Sequence, residues 1–149
     1  AKVYDFLDPR NSWIRGDIGE EIARHYFLDC GLIAFLTRFD DIEQIYPIFR
    51  INEDQEKYLK RLSSTSQDQH WWDLVAVQGH PKGKGKAKIW LVEVKTGQVR
   101  LKSIQSLQKE GKLANEEQIS YEKSLGFRHL LVYIQLIGDW KVEVSCQEI

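Results

Sequence analysis

Two apolar runs dominate the middle of this chain, and each carries a carboxylate where a pleated strand would bury it. The first is Trp71-Trp72-Asp73-Leu74-Val75-Ala76-Val77 and the second is Trp90-Leu91-Val92-Glu93-Val94-Lys95. Side chains alternate between the faces of a strand, so Glu93 and Lys95 share one face while Val92 and Val94 share the other. Charged groups rarely occupy such a setting unless they are paired or hold a metal. Between the runs lies Gly79-His80-Pro81-Lys82-Gly83-Lys84-Gly85-Lys86, whose glycines and proline break regular structure. The pattern predicts strands over His70 to Val77 and Lys88 to Lys95, joined as a hairpin by a long basic loop.

At 149 residues the chain is long enough to bury one core without disulfides or a structural metal, and a single domain over 1–149 is expected. The net charge of −1 excludes a protein that coats nucleic acid through its overall field, so any such site must be a local basic patch. Cys30 and Cys146 are too few for a disulfide framework or a zinc site and read as reduced core residues of an intracellular protein. No window approaches the roughly 18 to 20 apolar residues of a membrane span, and nothing N-terminal resembles a signal peptide. A soluble, cytoplasmic protein without a membrane partner is the expectation.

Helix signals open at Asp17, with Glu20 three residues on, and close at Gly31. They predict a helix from Ile18 to Cys30 whose apolar face carries Ile18, Ile22, Ala23, Tyr26, Phe27 and Cys30, with Glu20 at its edge. Leu32 to Phe39 and Tyr46 to Ile51 read as short strands. A surface helix and a Ser-rich loop are expected within Asn52 to Gln69. Leu101, Ile104 and Leu107 have helical spacing up to Gly111. Asn115 with Gln118 marks an N-cap and Gly126 a C-terminus, which predicts a helix from Glu116 to Leu125. Arg128 to Ile137 and Trp140 to Cys146 read as a final hairpin around Gly138-Asp139.

Hydrolysis of a phosphodiester needs a nucleophile made from water, neutralisation of charge at phosphorus and help for the leaving alkoxide. Magnesium supplies much of this with only two or so carboxylates, because it keeps several waters and takes other ligands from the phosphate. Asp73 and Glu93 on adjacent strands fit that demand, and Lys95 would face the same water. Glu20 could assist, though its spacing from Asp17 equally fits a capping box serving only the helix end. The Lys82, Lys84, Lys86 and Lys88 series is either a phosphate clamp or a solvated loop. His25, His70, His80 and His129 show no metal-ligand spacing and no constellation for metal-independent RNA cleavage.

The Asp73, Glu93 and Lys95 set resembles the PD-(D/E)XK nuclease superfamily, over roughly Trp13 to Ile137. Arg15-Gly16-Asp17-Ile18-Gly19-Glu20, followed by Gly31 and a strand carrying Arg38, is similar to the opening of archaeal Holliday junction resolvases. The resemblance implies an α/β fold with a restriction-endonuclease-like αβββαβ core, a mixed sheet flanked by helices. It implies Mg²⁺, with Mn²⁺ as substitute, held by Asp73, Glu93 and the Val94 carbonyl, and no organic cofactor. Lys95 would act on the nucleophile, with Glu20 assisting, and Gln118 would correspond to the glutamine lining the site in resolvase-like and RecB-like members. Tyr121 departs from the RecB-like signature by standing three residues after Gln118 instead of four, and Trp72 stands in place of proline. DNA contacts are expected at Arg15, Lys82, Lys84 and Lys86. The implied activity is an endonuclease of DNA repair, recombination or restriction, acting as a homodimer because paired cuts need two sites. The rival reading is a catalytically weak nucleic-acid-binding or scaffold module of a larger assembly.

Overall fold

The computed structural model describes residues 1–38, 41–64, 69–79 and 85–149 of the chain. Among these residues the architecture is mixed α/β, with four α-helices and an open five-stranded sheet in the order β1-β2-β3-β4-β5. The elements are α1 (Ser12–Asp29), β1 (Ile33–Leu36), α2 (Glu53–Ser64), β2 (Leu74–Gln78) and β3 (Lys88–Gly97). They continue with α3 (Ile104–Lys109), α4 (Glu116–Ser124), β4 (Arg128–Gly138) and β5 (Lys141–Glu148). Every neighbouring pair is antiparallel except β3 and β4. A parallel pair needs a crossover, and α3 and α4 occupy it.

The two central strands are near-continuous apolar runs because the sheet is covered on both faces. Ala34, Leu74, Ala76, Trp90, Val92, Val132 and Ile134 pack with Ala23 and Phe27 of α1. On the other face Phe35, Val75, Val77, Ile89, Leu91 and Leu131 pack with Tyr58, Leu59 and Leu62 of α2 and with Leu107 and Ile119 of the crossover helices. The predicted surface helix thus buries one side, and β2 and β3 form the expected antiparallel hairpin.

α1 begins six residues before the predicted start. A 3-10 turn at Pro9–Asn11, capped by the Asp8 carboxylate accepting from Arg10 N–H at 2.9 Å, leads into it, so Asp17 and Glu20 lie inside the helix and cap nothing. Its buried stripe is Gly19, Glu20, Ala23 and Phe27, while Ile18 and Cys30 are exposed. Both cysteines lie at the surface, which corrects their assignment to the core. Gly31 at φ 82° and Gly126 at φ 95° end α1 and α4 as predicted. In each case the following residue donates back five positions, Leu32 to Phe27 and Phe127 to Glu122, closing orphan carbonyls.

The predicted strand at Tyr46 to Ile51 is absent. A 3-10 turn at Asp41–Gln44 continues through bends that bury Ile42, Ile45 and Phe49, and Pro47 could not have donated to a ladder. The last hairpin turns at Asp139 and Trp140, since Gly138 pairs with Lys141, and Trp140 takes φ 61°. Among the described residues no helix is long and apolar enough to cross a membrane.

Candidate active site

β2 starts at Leu74 and not at His70, and the reason lies in one side chain. Gln118 Oε1 accepts the His70 N–H at 2.9 Å while its Nε2 donates to the His70 carbonyl at 2.9 Å, so α4 supplies the partners a strand would otherwise have given. Thr37 holds the next residues, its hydroxyl donating to the Trp72 carbonyl and its N–H to the Asp73 carbonyl at 3.3 Å. The segment before β2 is therefore pinned from both sides. Beyond it β3 runs on, leaving a notch beside Val94.

Asp73 fills that notch. Its N–H donates to the Val92 carbonyl at 2.9 Å and its Oδ2 accepts the Val94 N–H at 2.8 Å, replacing a ladder bond. In a strand the N–H and C=O of one residue face the same neighbour, so the Val94 carbonyl also faces the Asp73 side. Glu93 is 4 % exposed. Its Oε1 lies 3.1 Å from Lys95 Nζ and its Oε2 2.5 Å from His70 Nε2, which donates when that nitrogen carries the ring proton. Glu20 is buried on α1, within 2.7 Å of Arg38 Nη2, and the same guanidinium reaches Asp17 at 2.7 Å. Glu20 lies in the helix interior, which overturns the capping-box alternative.

What brings Glu20 here is the residue before it. A β-carbon on Gly19 would stand 2.0 Å from Thr96 Oγ1, so only glycine lets α1 lie this close to β3. The three carboxylates feel one another. Burial pushes the Asp73 carboxyl up to about 8, helped by the charges of Glu93 and Glu20 and opposed by the Val94 N–H and by Lys95. Burial also raises Glu20 above the usual carboxylate range, and its neighbour Arg38 opposes the shift. Such crowding of buried acids is relieved by a cation.

The donors suit a hard divalent ion. Asp73, Glu93 and the Val94 carbonyl offer oxygen, which Mg²⁺ and Mn²⁺ accept, and Mg²⁺ completes its shell with water. Among the described residues no group of three His, Cys, Asp or Glu side chains is drawn together as an all-protein cage.

Glu20, Asp73, Glu93 and Lys95 are thus gathered in one place. Gln118 stands behind them, its amide engaged with His70 and, at 3.2 Å, with Glu122. Glu122 is fully buried, accepts from Tyr58 Oη at 2.5 Å and Trp72 Nε1 at 3.1 Å, and lies 3.0 Å from His129 Nε2, which donates when that nitrogen carries the ring proton. Arg15 donates to the Phe6 carbonyl at 3.2 Å, and Lys86 is exposed. Lys82 and Lys84 lie outside the described residues. The residue that sequence reasoning missed is His70, whose only signal was its place at the start of the strand predicted to carry Asp73.

No family model, curated protein or solved structure matches this chain.

Proposed function

We propose that the protein is a Mg²⁺-dependent DNA endonuclease of the PD-(D/E)XK kind, with a restriction-endonuclease-like αβββαβ core running from α1 to β4. The observation that carries this reading is the half-buried Asp73 and the buried Glu93 at the notch beside Val94, with Lys95 Nζ 3.1 Å from Glu93. Asp73, Glu93 and the Val94 carbonyl would hold the ion. Bound Mg²⁺ would neutralise charge at the phosphorus oxygens and make water more acidic.

Lys95 then handles the attacking water. The Lys95 ammonium, fixed by Glu93, orients the attacking oxygen and meets the charge gathering on the phosphate. Water's oxygen bonds to phosphorus while the bond to the 3′ oxygen breaks, and the proton released from water ends on that alkoxide. The products are a 5′-phosphate and a 3′-hydroxyl. Glu20, held by Arg38, adds negative charge behind the site and favours retention of the cation. His70 orients the second oxygen of Glu93, as outer partners of metal-binding carboxylates do. Paired cuts across a duplex or a junction call for a homodimer.

The test is cleavage of labelled four-way junction, duplex, flap and single-stranded DNA in Mg²⁺, with chelator as control. Lys95→Ala should lower the rate by about 10² to 10⁴ while DNA binding persists. If every substrate survives the wild-type protein, or cleavage ignores both Asp73→Ala and Lys95→Ala, the nuclease reading fails and the binding-module reading takes its place.

A further inference from the structure

The row of side chains that includes Lys95 continues across the sheet. Lys95 pairs with Tyr133 of β4, and Tyr133 with Ser145 of β5; the adjacent row runs Glu93, Leu131, Gln147. Paired residues share a face, so the face bearing Glu93 and Lys95 extends over β4 and β5, about 5 and 10 Å away at the usual strand spacing. The crossover helices cover Leu131 but stop short of Gln135, Ser145 and Gln147, which are partly or fully exposed. Beyond the helices is a groove of about 510 Å³ whose polar lining includes Arg100, Lys102, Ser103, Gln135, Ser145 and Gln147.

The segment that walls this groove is built in. The Tyr133 hydroxyl donates to the Val99 carbonyl and Gln135 Nε2 donates to the Gln98 carbonyl at 3.2 Å, so the floor of the groove holds up its rim. On that rim Arg100 is exposed and makes no ion pair among the described residues. Lys102 Nζ lies 2.6 Å from Glu110 Oε1, but Glu110 is shared with Lys112 at 3.3 Å and stays paired if Lys102 turns inward. The groove thus offers surplus cationic charge above and neutral hydrogen-bonding side chains below. That combination suits a phosphodiester chain, with cations for the phosphates and amides and hydroxyls for sugar and base edges.

We propose that this groove is the track along which a single-stranded segment of nucleic acid reaches the Glu93 and Lys95 site. The inference rests on the nuclease reading for its purpose. Its volume is that of a pocket for a small molecule or a nucleotide unit, bounded by the 98–103 segment and β5, a width that suits one strand. Substrates with an unpaired strand, such as a flap or a splayed end, are therefore favoured over uninterrupted duplex.

The experiment is fluorescence anisotropy with a labelled oligothymidylate and a labelled duplex of the same length, in chelator so that nothing is cut. Wild type is compared with Arg100→Ala, Lys102→Ala, the double variant and Lys112→Ala, which removes a cation outside the groove. The expected result is tighter binding of the single strand than of the duplex. The double variant should lose about tenfold or more in single-strand affinity at low salt, and its salt dependence should flatten by about 1.4 in log–log slope, or 0.7 for each phosphate contact. Lys112→Ala should weaken binding only slightly, because Glu110 then holds Lys102 back, and should fall well short of the loss in the double variant. Equal loss in Lys112→Ala, unchanged slopes in the double variant, preference for duplex, or no binding of either probe would overturn the proposal. Cleavage is scored separately: wild type that binds through the groove and never cuts sinks the nuclease reading alone, and a wild type that cuts while the double variant binds normally sinks the groove alone.

Discussion

The Asp73 carboxylate accepts the Val94 backbone N–H at 2.8 Å, so a ladder bond of β3 is made by a side chain that is also the most strongly perturbed acid of the site. Stability and charge are coupled at this point. In the unfolded chain Asp73 loses its proton near 4, while in the folded chain it holds it to about 8. Between those values the folded state binds the extra proton, so stability falls as pH rises; below 4 the effect is absent and above 8 it is complete. The metal-free protein should therefore melt lower at pH 8 than at pH 5 by several degrees. Asp73→Asn should flatten that slope and raise the melting temperature at neutral pH while eliminating Mg²⁺-dependent cleavage. Thermal melts across pH, with and without Mg²⁺, check this, and an unchanged slope in the variant would refute it.

Gly19 and Thr96 set the distance between α1 and β3. Gly19→Ala should cost about 1 to 3 kcal/mol by overpacking and should weaken Mg²⁺ binding by displacing Glu20. Thr96→Ala removes the nearest atom, so it should recover part of that loss when combined with Gly19→Ala. A double-mutant cycle by urea denaturation measures the coupling, and purely additive effects would contradict the packing account.

Gln118 satisfies two backbone groups of His70 through one amide. Gln118→Leu should destabilise by roughly 2 kcal/mol, because the groups left behind are partly buried and unpaired. It should also slow cleavage about 10- to 100-fold through the loss of His70's grip on Glu93. His70→Ala should share the second effect and little of the first. Denaturation curves and rates on the same preparations separate these contributions.

Trp140 holds φ 61° in the last turn and is fully exposed, so it bears backbone strain without burying its ring. Trp140→Gly should stabilise the hairpin by about 1 kcal/mol, a gain visible in the urea midpoint. A loss instead would show that the indole has a contact the turn geometry does not reveal.

Several elements were legible from local pattern. The hairpin of β2 and β3, the helix between Asn115 and Gly126 and the C-terminal hairpin, whose turn falls one residue later than expected, each depend on alternation, caps and turn residues a few positions apart, and the pairing of Glu93 with Lys95 follows from the two-residue period of a strand. Asp73 was singled out by its place inside an apolar run. The misreadings share a cause. Asp17 and Glu20 have the local signature of a cap, yet a turn upstream starts the helix earlier and Arg38 on the far side of β1 claims both acids. Tyr46 to Ile51 has the composition of a strand, but the neighbouring core takes Ile42, Ile45 and Phe49 at turn-like spacing. Glu93 meets His70 from 23 positions away and Gln118 meets it from 48. Contacts at such separations are chosen by how two faces of a sheet are covered, and a hydrogen-bonding side chain carries no mark in sequence of which distant backbone it will satisfy. The residue types able to do the chemistry were thus determined by the sequence itself. Their orientation, the acidity of Asp73 and the open cationic groove beside Lys95 were decided only by tertiary packing, because burial and proximity belong to the assembled sheet.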